Sequence, residues 1–253
     1  MGIFSKKEVN KLIIAILILS FIFGYNDKAT AFNWNHWLTN FFLVLIVVCF
    51  SFLLHQIVQK LVAKKYGCQT EFDLWKIKRY GYRAKDKFPK KFGPWTISGL
   101  PIYLFSIFIT LISNGLWFFA VVGTTIIEAN ESKRIGKVFP KITGIEKAIV
   151  MFSGALVNLL LVLIFSNLAT WTGINFDLFI IINLWICVFS LVPLPGLEGL
   201  EILFGSLPFY IFSIAFFAFS LALVQVNFIL ATVTTILISF AIMMFYIYIY
   251  EKK

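Results

Sequence analysis

Residues 50–75 read Phe-Ser-Phe-Leu-Leu-His-Gln-Ile-Val-Gln-Lys-Leu-Val-Ala-Lys-Lys-Tyr-Gly-Cys-Gln-Thr-Glu-Phe-Asp-Leu-Trp, and the fold turns on how they are read. An apolar helix runs down to His55, Gln56 and Gln59, then enters a basic stretch at Lys64. Residues four apart share a helix face, so His55 and Gln59 point the same way while Gln56 is rotated around the axis. Polar groups set into an apolar helix are costly and mark functional positions by default.

The flanking chain fixes the class. Of 253 residues 60% are hydrophobic, thirty are Phe, and the mean hydropathy is +0.91. Soluble domains are nearer half apolar, and here the apolar residues form long uncharged runs. The expectation is an all-α polytopic membrane protein of about six to seven transmembrane helices, in one membrane domain over 1–253. The net charge of +10 does not indicate nucleic acid, because Lys and Arg gather in a few loops between apolar runs, as the positive-inside rule requires. The richest loop, 64–93, is read as cytoplasmic and solvated, near anionic headgroups. The three Cys are scattered and suggest no disulfide framework. The first apolar run lacks an obvious cleavage site and is read as a retained span.

Taken in order, apolar runs are expected at 12–25, 38–63, 94–127, 145–170, 177–192, 208–224 and 228–250. Asn26 to Trp37 is read as a loop with interfacial Trp34 and Trp37. The run 94–127, interrupted at Ser113-Asn114-Gly115, is read as a helical hairpin that returns Lys133, Arg134, Lys137 and Lys141 to the side of Lys64. Residues 207–250 form a closing helical pair around Gln225-Val226-Asn227. With a cytoplasmic N-terminus, spans two and five both descend, so His55 and Glu198 reach similar depth on charge bias alone. His36, the other histidine, falls in the opposite loop.

The helix at His55 has the frame of His-Glu-x-x-His, in which two imidazoles bind zinc and the Glu is a general base. The chain around it resembles the site-2 protease family of intramembrane zinc metalloproteases, particularly its archaeal members. The matching residues are Lys60, Ala63, Lys64, Lys65, Tyr66, Gly67, Thr70, Glu71, Phe72 and Trp75. A second match is Ser153-Gly154-Ala155-Leu156-Val157-Asn158. A third is Ser190-Leu191-Val192-Pro193-Leu194-Pro195-Gly196-Leu197-Glu198-Gly199, followed by Phe204-Gly205-Ser206. The resemblance implies a protease-like core over 38–205, and a metal set at His55, Gln59 and Glu198. It places a general-base position at Gln56 and a polar Asn position at Ser190.

The departures fall on the chemistry. A carboxamide is a poor zinc ligand, so Gln59 leaves two good ones. Gln56 has no useful pKa for moving a proton and can only orient water. Zinc, the cofactor of the family, is therefore expected to bind weakly or not at all. The expected function is a catalytically impaired or inactive homologue that still binds transmembrane protein or peptide segments within membrane lipid. The alternatives are an active membrane metalloendopeptidase with a remodelled site, using Glu198 or Glu201, and an active protease carrying introduced substitutions at Gln56 and Gln59. The changes at Ser190 and Glu198 speak against the second. Glu201 is more simply a helix-start carboxylate, Asn158 and Asn183 helix–helix hydrogen-bonders, and Gly154 a packing residue; the alternative for Asn183 is that it faces the cleft in the role of the polar Asn missing at Ser190. A transporter is disfavoured by the lack of repeats or paired broken helices.

Overall fold

The computed structural model describes residues 4–77, 90–92, 95–97, 99–130, 141–223 and 228–251. Most of them are helical. In order they form α1 (Lys6–Gly24), α2 (Trp34–Lys65), β1 (Cys68–Leu74), β2 (Lys76–Ile77), β3 (Lys90–Phe92), β4 (Trp95–Ile97) and β5 (Leu100–Pro101). There follow α3 (Tyr103–Ile112), β6 (Gly123–Ala129), α4 (Gly144–Thr172), α5 (Asp177–Leu191), α6 (Glu198–Gly205), α7 (Leu207–Ala222) and α8 (Phe228–Glu251). Among the described residues three helices are long and apolar enough to cross a membrane: α2, α4 and residues Leu230–Tyr250 of α8. At 1.5 Å per residue the 32 residues of α2 extend about 48 Å, well beyond a hydrocarbon core of about 30 Å.

The predominance of helix agrees with the expected all-α class, and among the described residues three short two-stranded sheets are added to it, β1 with β6, β2 with β5 and β3 with β4. Part of the stretch read as a basic loop is therefore strand, and its residues 78–89 lie outside the described ones. The helical hairpin over 94–127 is also corrected. Its first limb is α3, and the chain turns at 113–115 as expected. The second limb is extended and becomes β6, rich in Thr and Ile that favour strands. Trp34 and Trp37 belong to the first turn of α2 rather than to a loop. The return of Lys133, Arg134 and Lys137 and the turn at 225–227 lie outside the described residues.

Contacts divide the chain into two compact units, one of residues 46–71 and 125–253, the other of 4–45 and 72–124. In the first, α4 is the central helix. It packs against α5, α6 and α7, and α7 packs on α8. Met151, Phe152, Ala155 and Leu159 of α4 meet Cys187 and Leu191 of α5, Ile202 of α6 and Phe216 of α7 in one apolar core. Thr143 and Glu146 form a capping box that starts α4. α5 ends at Leu191 because Pro193 follows at a short interval. The outward faces of α8 carry Leu237, Phe240 and Phe245, exposed and apolar as a lipid-facing surface is.

In the second unit α1 is anchored at its start. Ser5 caps the helix by accepting the Glu8 N–H, while the Glu8 side chain accepts from the Ser5 N–H. Glu8 is nonetheless buried, and its Oε1 accepts the Phe72 N–H of β1 at 2.9 Å. Lys11, one turn on, pairs with Asp73 at 3.1 Å. One carboxylate thus serves a helix cap and a strand. Glu8→Ala is expected to cost about 2–3 kcal/mol in detergent unfolding, the sum of a lost cap and a buried N–H deprived of its acceptor. Glu8→Gln, which keeps the acceptor, should cost less than half as much. Equal losses for the two variants would refute this account.

Candidate functional site

The first unit gathers four polar side chains inside its apolar core. His55 and Gln59 lie one turn apart on α2 and are 2% and 0% exposed. Phe52, a turn earlier, stacks on the imidazole with ring centroids 6.2 Å apart. Glu198 opens α6, where the helix N-terminus favours a carboxylate. Gly196, at φ 86°, makes the turn after Pro195 that turns the chain into α6, in a conformation that favours glycine. Thr125 comes from β6 and is buried on that strand.

These groups close on one atom. Glu198 Oε1 is hydrogen-bonded to His55 Nε2 at 3.1 Å and accepts from Gln59 Nε2 at 2.7 Å and Thr125 Oγ1 at 3.3 Å. Thr125 Oγ1 also lies 2.9 Å from Gln59 Oε1, and Gln59 Nε2 reaches the Met151 carbonyl at 3.3 Å. The cluster is therefore a ring of mutual hydrogen bonds. Two further buried atoms of these side chains, His55 Nδ1 and Glu198 Oε2, have no close hydrogen-bond partner among the described residues.

The cluster exists because α4 has a glycine beneath it. A Cβ on Gly154 would lie 2.4 Å from His55 Nε2 and 2.6 Å from Gln59 Nε2. Atoms cannot approach so closely, so any side chain here displaces the imidazole or the amide. Gly154 does more than permit close helix packing, since it sets where both side chains stand.

The residues singled out in the sequence divide accordingly. His55, Gln59 and Glu198 meet. Ser190, half-buried in the last turn of α5, lies against the same carboxylate. Gln56 is buried, but among the described residues no hydrogen bond joins it to the other members. Glu201 is ion-paired with Lys147 at 2.5 Å and partly exposed, away from this chemistry. The expectation of helix–helix hydrogen bonds from the two buried asparagines is corrected. Both amide atoms of Asn158 lack partners, and Asn183 donates to Phe179 of its own helix. His36 pairs with Asp27 at 2.8 Å near the start of α2. Thr125 is the member that the sequence did not suggest. Its only signal is the β-branched run Thr124-Thr125-Ile126-Ile127, a strand preference inside an apolar stretch.

The donor set does not fit a catalytic zinc ion. Such sites use three protein ligands from His, Cys, Asp and Glu with a fourth position for water. Here only His55 and Glu198 qualify. Gln59 directs its N–H toward the carboxylate while its oxygen accepts from Thr125, so it offers a donor where a ligand atom is needed. Among the described residues no group of three His, Cys, Asp or Glu side chains could hold a metal ion.

The chain is 28% identical over 204 residues to a protein of Methanocaldococcus jannaschii provisionally named a zinc metalloprotease. The match covers 79% of this chain and 85% of that protein. No family model matches the chain. No solved structure matches it. The likeness in sequence is to a metalloprotease-like protein, and zinc is in keeping with the name of that relative.

Proposed function

We infer that this chain is a site-2-protease-like membrane protein that has lost peptide hydrolysis and keeps a cleft for a transmembrane or juxtamembrane segment. The reading includes six to seven spans, a protease-like core over 38–205, multi-pass insertion in the cell membrane, and a cytoplasmic N-terminus and basic loops. It makes zinc weakly bound or absent. The observation that carries it is the self-closed ring at Glu198, in which a carboxylate, an imidazole and an amide satisfy one another. An incoming cation would have to break those bonds and would gain only two good ligands. Gln56 supports the same reading, since hydrolysis by metal-activated water requires a group that takes and returns a proton. The relative from Methanocaldococcus jannaschii supports the metalloprotease ancestry. A remodelled active enzyme needs a substitute base, and the pairing of Glu201 with Lys147 leaves that carboxylate engaged elsewhere.

Metal analysis of the purified full chain tests the reading. The expected content is far below one zinc per chain and unchanged by His55→Ala. Near-stoichiometric zinc that disappears in His55→Ala would overturn it. A second measurement is cleavage of a membrane-helix substrate. The unaltered chain should be inactive, and the Gln56→Glu, Gln59→His double variant should regain zinc and measurable cleavage if the cleft persists. Cleavage by the unaltered chain would refute the loss of hydrolysis.

A further inference from the structure

A second candidate site lies in the other unit, remote in sequence from the histidine cluster. The segment between α1 and α2, with the turn that follows α3, lines an open cavity of about 330 Å³, with Phe32 and Trp34 exposed at its rim. Its walls include Tyr25, Phe32, Trp34 and Trp37, with Asp27 and Asn114 among the polar ones. This volume is at the small end of ligand sites, which run from about 300 to 1,000 Å³.

The aromatic walls are set at right angles. Phe32 and Trp34 have centroids 4.9 Å apart and planes at 80°, and Trp34 and Trp37 are 6.2 Å apart at 87°. These are edge-to-face contacts that hold the rings in place, and Trp37 also stacks on Phe41 at 5.6 Å; an aromatic ring whose face stays free attracts an organic cation. One wall is a carboxylate. His36 beside Asp27, and then the Ala29 N–H, hold its carboxyl below the ordinary range, so it carries its charge through neutral pH. The rest is fixed in advance. Trp37 Nε1 donates to the Tyr25 carbonyl at 3.1 Å, and Asn40 Nδ2 to the Gly24 carbonyl at 3.1 Å. Lys28 and Asn114, the two non-glycine residues at positive φ among those described, flank or line the cavity. Left-handed backbone held by the surrounding structure is typical of built sites. Lys28 itself is exposed and is not among the walls.

A belt of interfacial Trp explains exposed indoles but does not call for a charged carboxylate beside them in the same cavity. A metal ion suits the walls poorly, because aromatic rings supply no ligand atoms. We propose that this aromatic and carboxylate cavity binds an alkylated ammonium group, as found in the headgroup of a choline-type lipid or in a free quaternary amine.

The test uses the full chain in a maltoside detergent and ligand-observed NMR on the methyl protons of tetramethylammonium. The neutral isostere 3,3-dimethylbutan-1-ol serves as control. Saturable binding of tetramethylammonium is expected, with at least tenfold weaker binding of the neutral compound. Asp27→Asn and Trp34→Leu should each weaken binding about tenfold, and Trp34→Phe, which keeps a ring, should restore part of it. Equal binding of the neutral compound, or no saturable binding, overturns the proposal using the unaltered chain alone. The source is resolved by reconstitution. Vesicles of phosphatidylcholine should abolish binding of the soluble probe if a headgroup fills the cavity, whereas vesicles of phosphatidylglycerol should not. Persistence of binding in both identifies a free amine as the ligand.

Discussion

Glu198→Ala is expected to destabilise the protein by about 3–5 kcal/mol in thermal or denaturant unfolding in detergent. The carboxylate is the common acceptor for His55, Gln59 and Thr125. Its removal takes the partner from buried His55 Nε2 and leaves a cavity, while Gln59 Nε2 keeps the Met151 carbonyl and Thr125 Oγ1 keeps Gln59 Oε1. The orphaned imidazole costs about 1–3 kcal/mol, and the lost carboxylate contacts and the cavity add the rest. Glu198→Gln separates charge from geometry. It keeps an acceptor oxygen for Gln59 and Thr125 and removes the charge that holds the imidazole, so a loss of about 1–3 kcal/mol is expected. If Glu198→Ala lowers stability by less than 1 kcal/mol, the ring of hydrogen bonds is not a structural element of the fold.

The second large effect belongs to Gly154. Alanine there places a carbon 2.4 Å from His55 Nε2, far inside contact distance. Because the atom beneath is part of a ring rather than the end of a flexible chain, relief requires α4 to move or His55 to change rotamer. Either costs about 1–3 kcal/mol. Both routes break the bond to Glu198, so Gly154→Ala and Glu198→Ala should be strongly non-additive. A double-mutant cycle is expected to show coupling of about 1–2 kcal/mol, well above the few tenths seen for independent sites. Simple additivity would mean that the glycine sets helix spacing without positioning the imidazole.

Much of this architecture was legible in the residues. The apolar runs locate α1, α2, α4, α5, α7 and α8 to within a few positions, because length and hydropathy are local properties. The approach of His55 to Glu198 was legible through charge bias and resemblance. The strands were not. Cys68, Thr70, Phe72 and Leu74 of β1 are buried, while Gln69 and Glu71 between them are exposed. That alternation is written in the sequence, but it sits within a densely basic segment that reads as solvated loop. The same reading hid Thr125, since a residue on a strand cannot be assigned to a pocket before the strand is recognised. The orphaned amides of Asn158 were illegible for a different reason. A buried asparagine in a helix looks the same in sequence whether or not its neighbours offer partners.

The carboxylate of Glu198 spans to the imidazole of His55 directly, at 3.1 Å. A pocket built around a cation is left with mutually repelling or orphaned groups whenever that cation is scarce. In this pocket the carboxylate meets the imidazole and the amide directly, so α2 and α6 are tied together by side chains alone.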